Sequence, residues 1–398
     1  MTSPAQLSRH AKASKPPQPK PRGRLIELDI LRGFLLVWMT LTHLPTKANL
    51  ISNQTFGFVS GAEGFIFLAG FMMGQLEHHI ERKRGQLATL RDVAKRTVRV
   101  YLYHCALLAI AFTVFARIAV EHNRLALQNL LSFFLQSPKH AIVAAALLKY
   151  RPALLDILPM YVVFLALTPV ARWAARRWTW DPVIYTSLFI WACAQFGLRG
   201  WIYRHVNLFG TVPEASTGAF DLYAWQMLWM AGLALGSINA DRVAPAPDAP
   251  EDESELGITP WILRLSIAIA LVSLILRYSP TEHWFNPDIF GWLIDKWHLG
   301  PARVINFTAL AIVLVRYGAR IANLPFFRPL ALLGQASLEV FSLHLLFCLS
   351  GDALSKEADP ILSWWQQILL LTVTMAGLFS IALASRWAKN KRKQQQAA

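Results

Sequence analysis

Residues 24–45 read RLIELDILRGFLLVWMTLTHLP and residues 61–74 read GAEGFIFLAGFMMG. Both are apolar runs with ionisable groups well inside them: Asp29, Arg32 and His43 in the first, Glu63 in the second. A charge within a membrane span is expensive, so it faces the bundle interior or a watery cavity and marks function. In a helix, Arg32 and His43 stand about three turns apart on nearly one face, roughly 16 Å along the axis. Asp29 falls one turn before Arg32 on that face. One helix face thus offers an acid, a fixed cation and a titratable base.

The rest of the composition agrees with a membrane setting. The 398-residue chain is 55% hydrophobic and only 16% charged, too little polar surface for a soluble protein of this size. The pattern predicts an all-α polytopic bundle of about ten transmembrane helices, near 26–45, 58–76, 98–119, 154–171, 183–198, 221–239, 260–277, 302–317, 331–350 and 362–386. No internal repeat is visible, which argues against a two-halves transporter architecture. With the N-terminus inside, 24 lysines and arginines fall on the inner side against nine in outer loops, so both termini are expected in the cytoplasm. The net charge of +15 reflects that asymmetry and attraction to anionic lipid. Scattered over short loops, it does not form a nucleic-acid surface. Cys105, Cys193 and Cys348 lie in separate apolar runs, which argues against a disulfide framework or a metal site and for packing.

Several segments carry two readings. The basic stretch 77–96, EHHIERKRGQLATLRDVAKR, is a loop that sets topology or a docking surface for a polyanionic donor. Segment 121–153 holds LQNLLSFFLQ and AIVAAALL, each too short to cross, expected as interfacial or re-entrant helices on the outer side. In LLDILPMY, Asp156 belongs to a cavity wall or to a solvated helix end, and Pro159 invites a kink. The outer loop YSPTEHWFNPDIFGWLIDKWHLG (278–300) interleaves tryptophans with carboxylates and histidines, which suits sugar rings or an aromatic belt. Residues 1–24 form a basic, Pro-rich tail and 387–398 a basic C-terminal tail. The acidic 241–259 loop has the composition of a disordered linker. No small-residue cleavage site follows the first span, so it is expected to stay as an anchor. His344, in LLGQASLEVFSLHLL, is a hydrogen-bonded core histidine or a functional one.

No Gly-rich phosphate loop, GxSxG elbow or zinc spacing is present, so the chemistry belongs inside the bundle, without metal or bound cofactor. A histidine near the outer end of a span can serve as general base on a hydroxyl or as transient acyl carrier. Glu63 can orient that imidazole as the aspartate does in a hydrolytic triad. Arg32, deeper, suits a phosphate or an acyl carbonyl, with Asp29 fixing it. The constellation fits acyl transfer across the membrane, with the donor inside and a hydroxyl acceptor outside.

The Arg32–His43 spacing after LDILRG resembles the signature of the acyltransferase-3 superfamily. GAEGFIFLAGF is similar to its second motif, with Glu63 in the acid position and Ala69 where serine is usual. LLGQASLEVFSLHLL is similar to its late Gly–Ser–Tyr–His element, with Phe341 for the tyrosine. Within that superfamily the chain resembles the OpgC family, succinyltransferases of osmoregulated periplasmic glucans. DILPMY and AWQMLWMAGLALG carry this likeness: Trp225 and Gln226 match, while Asp221 and Leu222 stand where Asn-Pro is expected. The resemblance spans roughly residues 24–386 and implies one transmembrane acyltransferase domain over 25–386. It also implies a bacterial inner-membrane location, succinyl-CoA as donor and glucan hydroxyls as acceptor. Asp156, Trp225, Gln226 and His344 are then expected to line the substrate cavity. Transfer of acetyl to another envelope glycan keeps the fold and changes the substrates. A transporter with Arg32, His43 and Glu63 as a relay is the reading from another class.

Overall fold

A computed structural model describes residues 26–206, 210–242, 258–359 and 362–397. The basic N-terminal tail, Arg24 and Leu25, and most of the acidic 241–259 loop lie outside the described residues. Among the described residues the fold is all-α, and the only β pairing is the isolated Phe56–Val59 bridge.

The main helices are α1 (Ile26–His43), α2 (Gly61–Arg84), α3 (Gln86–Glu121), α4 (Ile157–Trp178), α5 (Trp180–Gln195) and α6 (Leu222–Arg242). They are followed by α7 (Pro260–Arg277), α8 (Pro301–Ala322), α9 (Leu330–Gln335), α10 (Ser337–Asp352) and α11 (Trp364–Ala397). A helix thus occupies each of the ten expected intervals. By length and composition alone, α3, α4, α7, α8 and α11 can cross a membrane. The others are shorter or more polar: α5 has 16 residues, and α1 carries Glu27, Asp29 and Arg32.

The layout follows from that difference. α7, α8 and α11 bury little of their apolar length and present Leu271, Ile275, Val315 and Leu383 outward. The polar helices α1, α2 and α6 sit inside them, with Asp29, Glu63 and Trp225 fully buried. Exposed apolar faces around a charged interior are what a bilayer solvent favours. Close backbone packing holds the centre together. A Cβ added at Gly33 would run into the Leu330 carbonyl oxygen, and one at Gly334 into that of Asp29. Glycines on α2 and α6 (Gly70, Gly74, Gly232 and Gly236) pack against the backbone of the facing helix in the same way, the small-residue contact typical of membrane helices.

Three expectations are corrected. The basic stretch 77–96 is not a loop: α2 runs to Arg84 and α3 starts at Gln86, hinged on Gly85 with φ 78°. Its Glu, Arg, Lys, Leu and Gln residues are strong helix formers, and the buried Arg172 of α4 pairs with Glu77 (3.1 Å) and Glu81 there. The ninth interval is not one straight span. The Pro325–Gln335 segment and α10 meet at 91°, with Ala336 between them (φ −116°, ψ 35°), next to Gly334, which packs against the Asp29 backbone of α1. Pro159 does not kink α4. It lies in the first helical turn, where no backbone donor is lost, and the proline inside the helix is Pro169. Beyond the expected tenth interval, α11 continues to Ala397. Segment 121–153 does form short helices (Leu125–Leu130, Ser132–Gln136 and Pro138–Ala146), and buries Leu127, Leu131, Ala141 and Tyr150 in the core.

Candidate active site

At the end of α1 the chain lines a half-open cavity of about 240 Å³. Thr42 and His43 contribute from α1, and Asn49 and Asn53 from the segment after it. Ala153, Leu154, Asp156 and Ile157 come from the start of α4, Ala219 and Phe220 from before α6, and Lys296 and Trp297 from before α8. A narrow extension reaches Met39, Ser60, Gly61 and Ala62 and shares Thr42, His43, Phe220 and Lys296 with the main cavity. Except for α1, α2 and α4, these segments are the loops expected on the outer side.

The end of α1 is tied down locally. Pro45 disfavours helix at the residue before it, and the chain turns into the short helix Ala48–Ser52. The Ser52 carbonyl accepts from Trp38 Nε1 (2.5 Å) and Thr42 Oγ1 (3.2 Å), which fixes the turn where His43 faces the cavity. The His43 Nδ1 is buried without a hydrogen-bond partner among the described residues. Its ring lies 6.0 Å from that of His344, centroid to centroid, with the planes 22° apart. His344 Nδ1 sits 2.5 Å from the Phe341 carbonyl, so it carries the proton and donates. That assigns the lone pair to the His344 Nε2, which is also buried without a partner among the described residues. Two histidines from α1 and α10 therefore stand together, each with one unsatisfied nitrogen.

Glu63 does not orient His43. Its Oε1 accepts from Arg303 Nε (2.9 Å) and from Arg303 Nη2, and both side chains are fully buried. Its Oε2 accepts from the Ser60 backbone N–H (3.0 Å) and hydroxyl (2.5 Å), closing a capping box at the start of α2. The reason is position: at the third residue of a helix a glutamate folds back on its own N-cap, and the arginine of α8 takes what remains. Arg32 donates to the Ser337 hydroxyl at the start of α10, and neither it nor Asp29 lines the cavity. Asp29 is fully buried where α1 meets α9.

The remaining expected residues divide. Asp156 is on the cavity wall, its Oδ2 accepting from the Ala219 N–H at 2.9 Å. Trp225 stands one row behind the wall: its ring packs edge-on against Phe220 at 4.7 Å and its Nε1 donates to the Trp297 carbonyl at 3.0 Å. Gln226 is not a cavity residue. Its amide donates to the Ser187 and Tyr223 carbonyls (2.8 and 3.2 Å) and accepts from the Ser187 hydroxyl (2.8 Å), joining α5 to α6. Neighbouring helix positions point about 100° apart, so Trp225 and Gln226 cannot share a wall.

Sequence reasoning missed Lys296, Arg303, Asn49 and Asn53. Arg303, a charge two residues into an apolar helix, carries the same signal that singled out Arg32. Of the outer-loop aromatics, Trp297 reaches the cavity while Trp284 and Trp292 stay exposed. Next to it His298 Nδ1 meets Asp295 Oδ2 at 2.6 Å. That hydrogen bond outweighs burial and raises the His298 pKa above its ordinary value. Burial pushes the Lys296 ammonium below its usual range, opposed by the carboxylates of Glu63 and Asp156 and assisted by the charge of Arg303.

No curated protein and no solved structure matches the chain. A family model described as OpgC protein matches residues 24–390. Nearly the whole of this chain, from α1 into α11, is accounted for by that match, and the chain belongs to the OpgC family.

Proposed function

We propose that this chain is an inner-membrane O-acyltransferase of the acyltransferase-3 type. It carries succinyl from cytoplasmic succinyl-CoA to hydroxyls of periplasmic glucans. Ten spans with both termini cytoplasmic and no bound cofactor complete the reading. The observation that carries it is His43: a histidine on the wall of a cavity with mixed polar and apolar lining, at the end of a helix whose Arg32 lies roughly 16 Å deeper. The membership in the OpgC family and the bias of basic residues to one side support the substrates and the orientation. The cavity's amides, its acid and its aromatic rings from Phe220 and Trp297 suit a sugar, whose C–H faces stack while its hydroxyls seek acceptors.

In the reaction the acceptor hydroxyl gives its proton to His43 Nε2 as its oxygen attacks the thioester carbonyl. The C–O bond forms, the C–S bond breaks, and the imidazolium returns the proton to the leaving CoA thiolate. A base that takes a proton at Nε2 must hold one at Nδ1. His344, whose ring lies 6.0 Å from that of His43, centroid to centroid, takes the positioning role that Glu63 does not fill. Arg32 holds polar atoms of the donor on the inner side.

The test is transfer of labelled succinyl from succinyl-CoA to periplasmic glucan by the purified chain, read as ester-linked label. His43→Ala is expected to abolish it. His344→Leu is expected to lower kcat at unchanged KM and to shift the pH profile, which a purely structural role would not do. Full activity in His43→Ala removes the residue from the mechanism. A labelled peptide around His43 after incubation without acceptor replaces direct transfer by an acyl-enzyme.

A further inference from the structure

Lys296 stands beside His43 in both the cavity and its narrow extension. Its ammonium lies 5.0 Å from the ring centroid of Trp297 and 6.0 Å from that of Phe220, within the reach of cation–π attraction. The two rings hold a positive charge at the cavity wall without neutralising it.

The carboxylates around it are already engaged. Glu63 is taken by Arg303 and by the Ser60 cap. Asp156 accepts the Ala219 amide, and Arg151 packs over Gly218 next to it. Asp295 is held by His298 and by the Trp297 N–H. Among the described residues Lys296 makes no salt bridge. A half-buried ammonium without a salt-bridge partner is costly, and an anion entering the cavity relieves that cost.

We infer that Lys296 binds the distal carboxylate of the acyl group being transferred and thereby selects a dicarboxylic half-thioester over a neutral acyl chain. The inference rests on the acyltransferase reading. A neutral sugar acceptor has no use for the charge, and an acetyl group offers it nothing. In a succinyl group the thioester carbon and the carboxylate carbon are about 4 Å apart, three C–C bonds. With the thioester at His43, the carboxylate therefore falls within the same small cavity.

The experiment compares succinyl-CoA with butyryl-CoA, which has the same four-carbon chain without the charge, as donors to periplasmic glucan. For the wild-type protein kcat/KM should favour succinyl at least tenfold. Lys296→Met should lower the succinyl-to-butyryl ratio at least tenfold, chiefly through KM for succinyl-CoA, and Lys296→Arg should keep most of the preference. An unchanged ratio in Lys296→Met, or a wild-type protein that uses both donors equally, overturns the inference. No transfer from either thioester by the wild-type protein overturns the acyltransferase reading itself, a different signature from an unchanged ratio.

Discussion

Replacing Arg303 by methionine tests what Glu63 is for. Both side chains are fully buried, so the carboxylate cannot turn to water when its partner leaves. In Arg303→Met it keeps the Ser60 N–H and hydroxyl but loses the guanidinium, and breaking one side of a buried pair costs about 3–5 kcal/mol. Glu63→Gln leaves the opposite charge stranded at a similar cost. Combining the two removes both charges, and the amide oxygen of the introduced glutamine still accepts from the Ser60 N–H. The double variant is therefore expected to lie within about 1–2 kcal/mol of wild type, a coupling of several kcal/mol. Ser60→Ala, which removes one capping hydroxyl, should cost about 1 kcal/mol. The assay is thermal unfolding in detergent together with the transfer rate per folded molecule. Single-variant costs that simply add would refute the pair as the reason for Glu63. A double variant that folds yet does not transfer would return Glu63 to the catalytic machinery.

Two further outcomes follow from the packing and the outer loop. Gly33→Ala or Gly334→Ala should sharply reduce the yield of folded protein, because the added methyl meets a backbone carbonyl that cannot move aside; Gly291→Ala, with open space around its Cα, is the control that should fold normally. His298 titrates above the ordinary 6.5 because Asp295 holds its charged form. Its contribution to loop stability is therefore fully present below 6.5 and is lost as the pH rises through the raised value. With the imidazole side chain 41% exposed the effect is modest. It should appear as alkaline loss of hydrogen-exchange protection at the Trp297 and Gly300 amides, both bonded to Asp295, and vanish in His298→Asn.

What the sequence made legible, and what it hid, separates along one physical line. Hydropathy and helical period report on single elements, so the helices and the shared face of Arg32 and His43 could be read directly. A hydropathy window averages across a bend, so the break at Ala336 was invisible, and it ends where charge begins, so the continuous helices through 77–96 looked like a loop. Pairing between distant elements has no signature in spacing. Glu63 drew a catalytic role because it is ionisable in an apolar run, yet its partner arrives from α8, 240 residues later. The Ser60-x-x-Glu63 capping box was the local clue to that structural role. Lys296 drew none because it lies in a polar loop, where a lysine counts only toward topology. Burial of a charge is thus a poor guide by itself. An ion paired directly with protein counter-charges is spent on the fold, whereas one held at a cavity wall without a salt bridge is left for a ligand. On that criterion the chemistry moves from the Glu63–Arg303 pair to the wall shared by His43 and Lys296, with His344 packed behind the His43 ring.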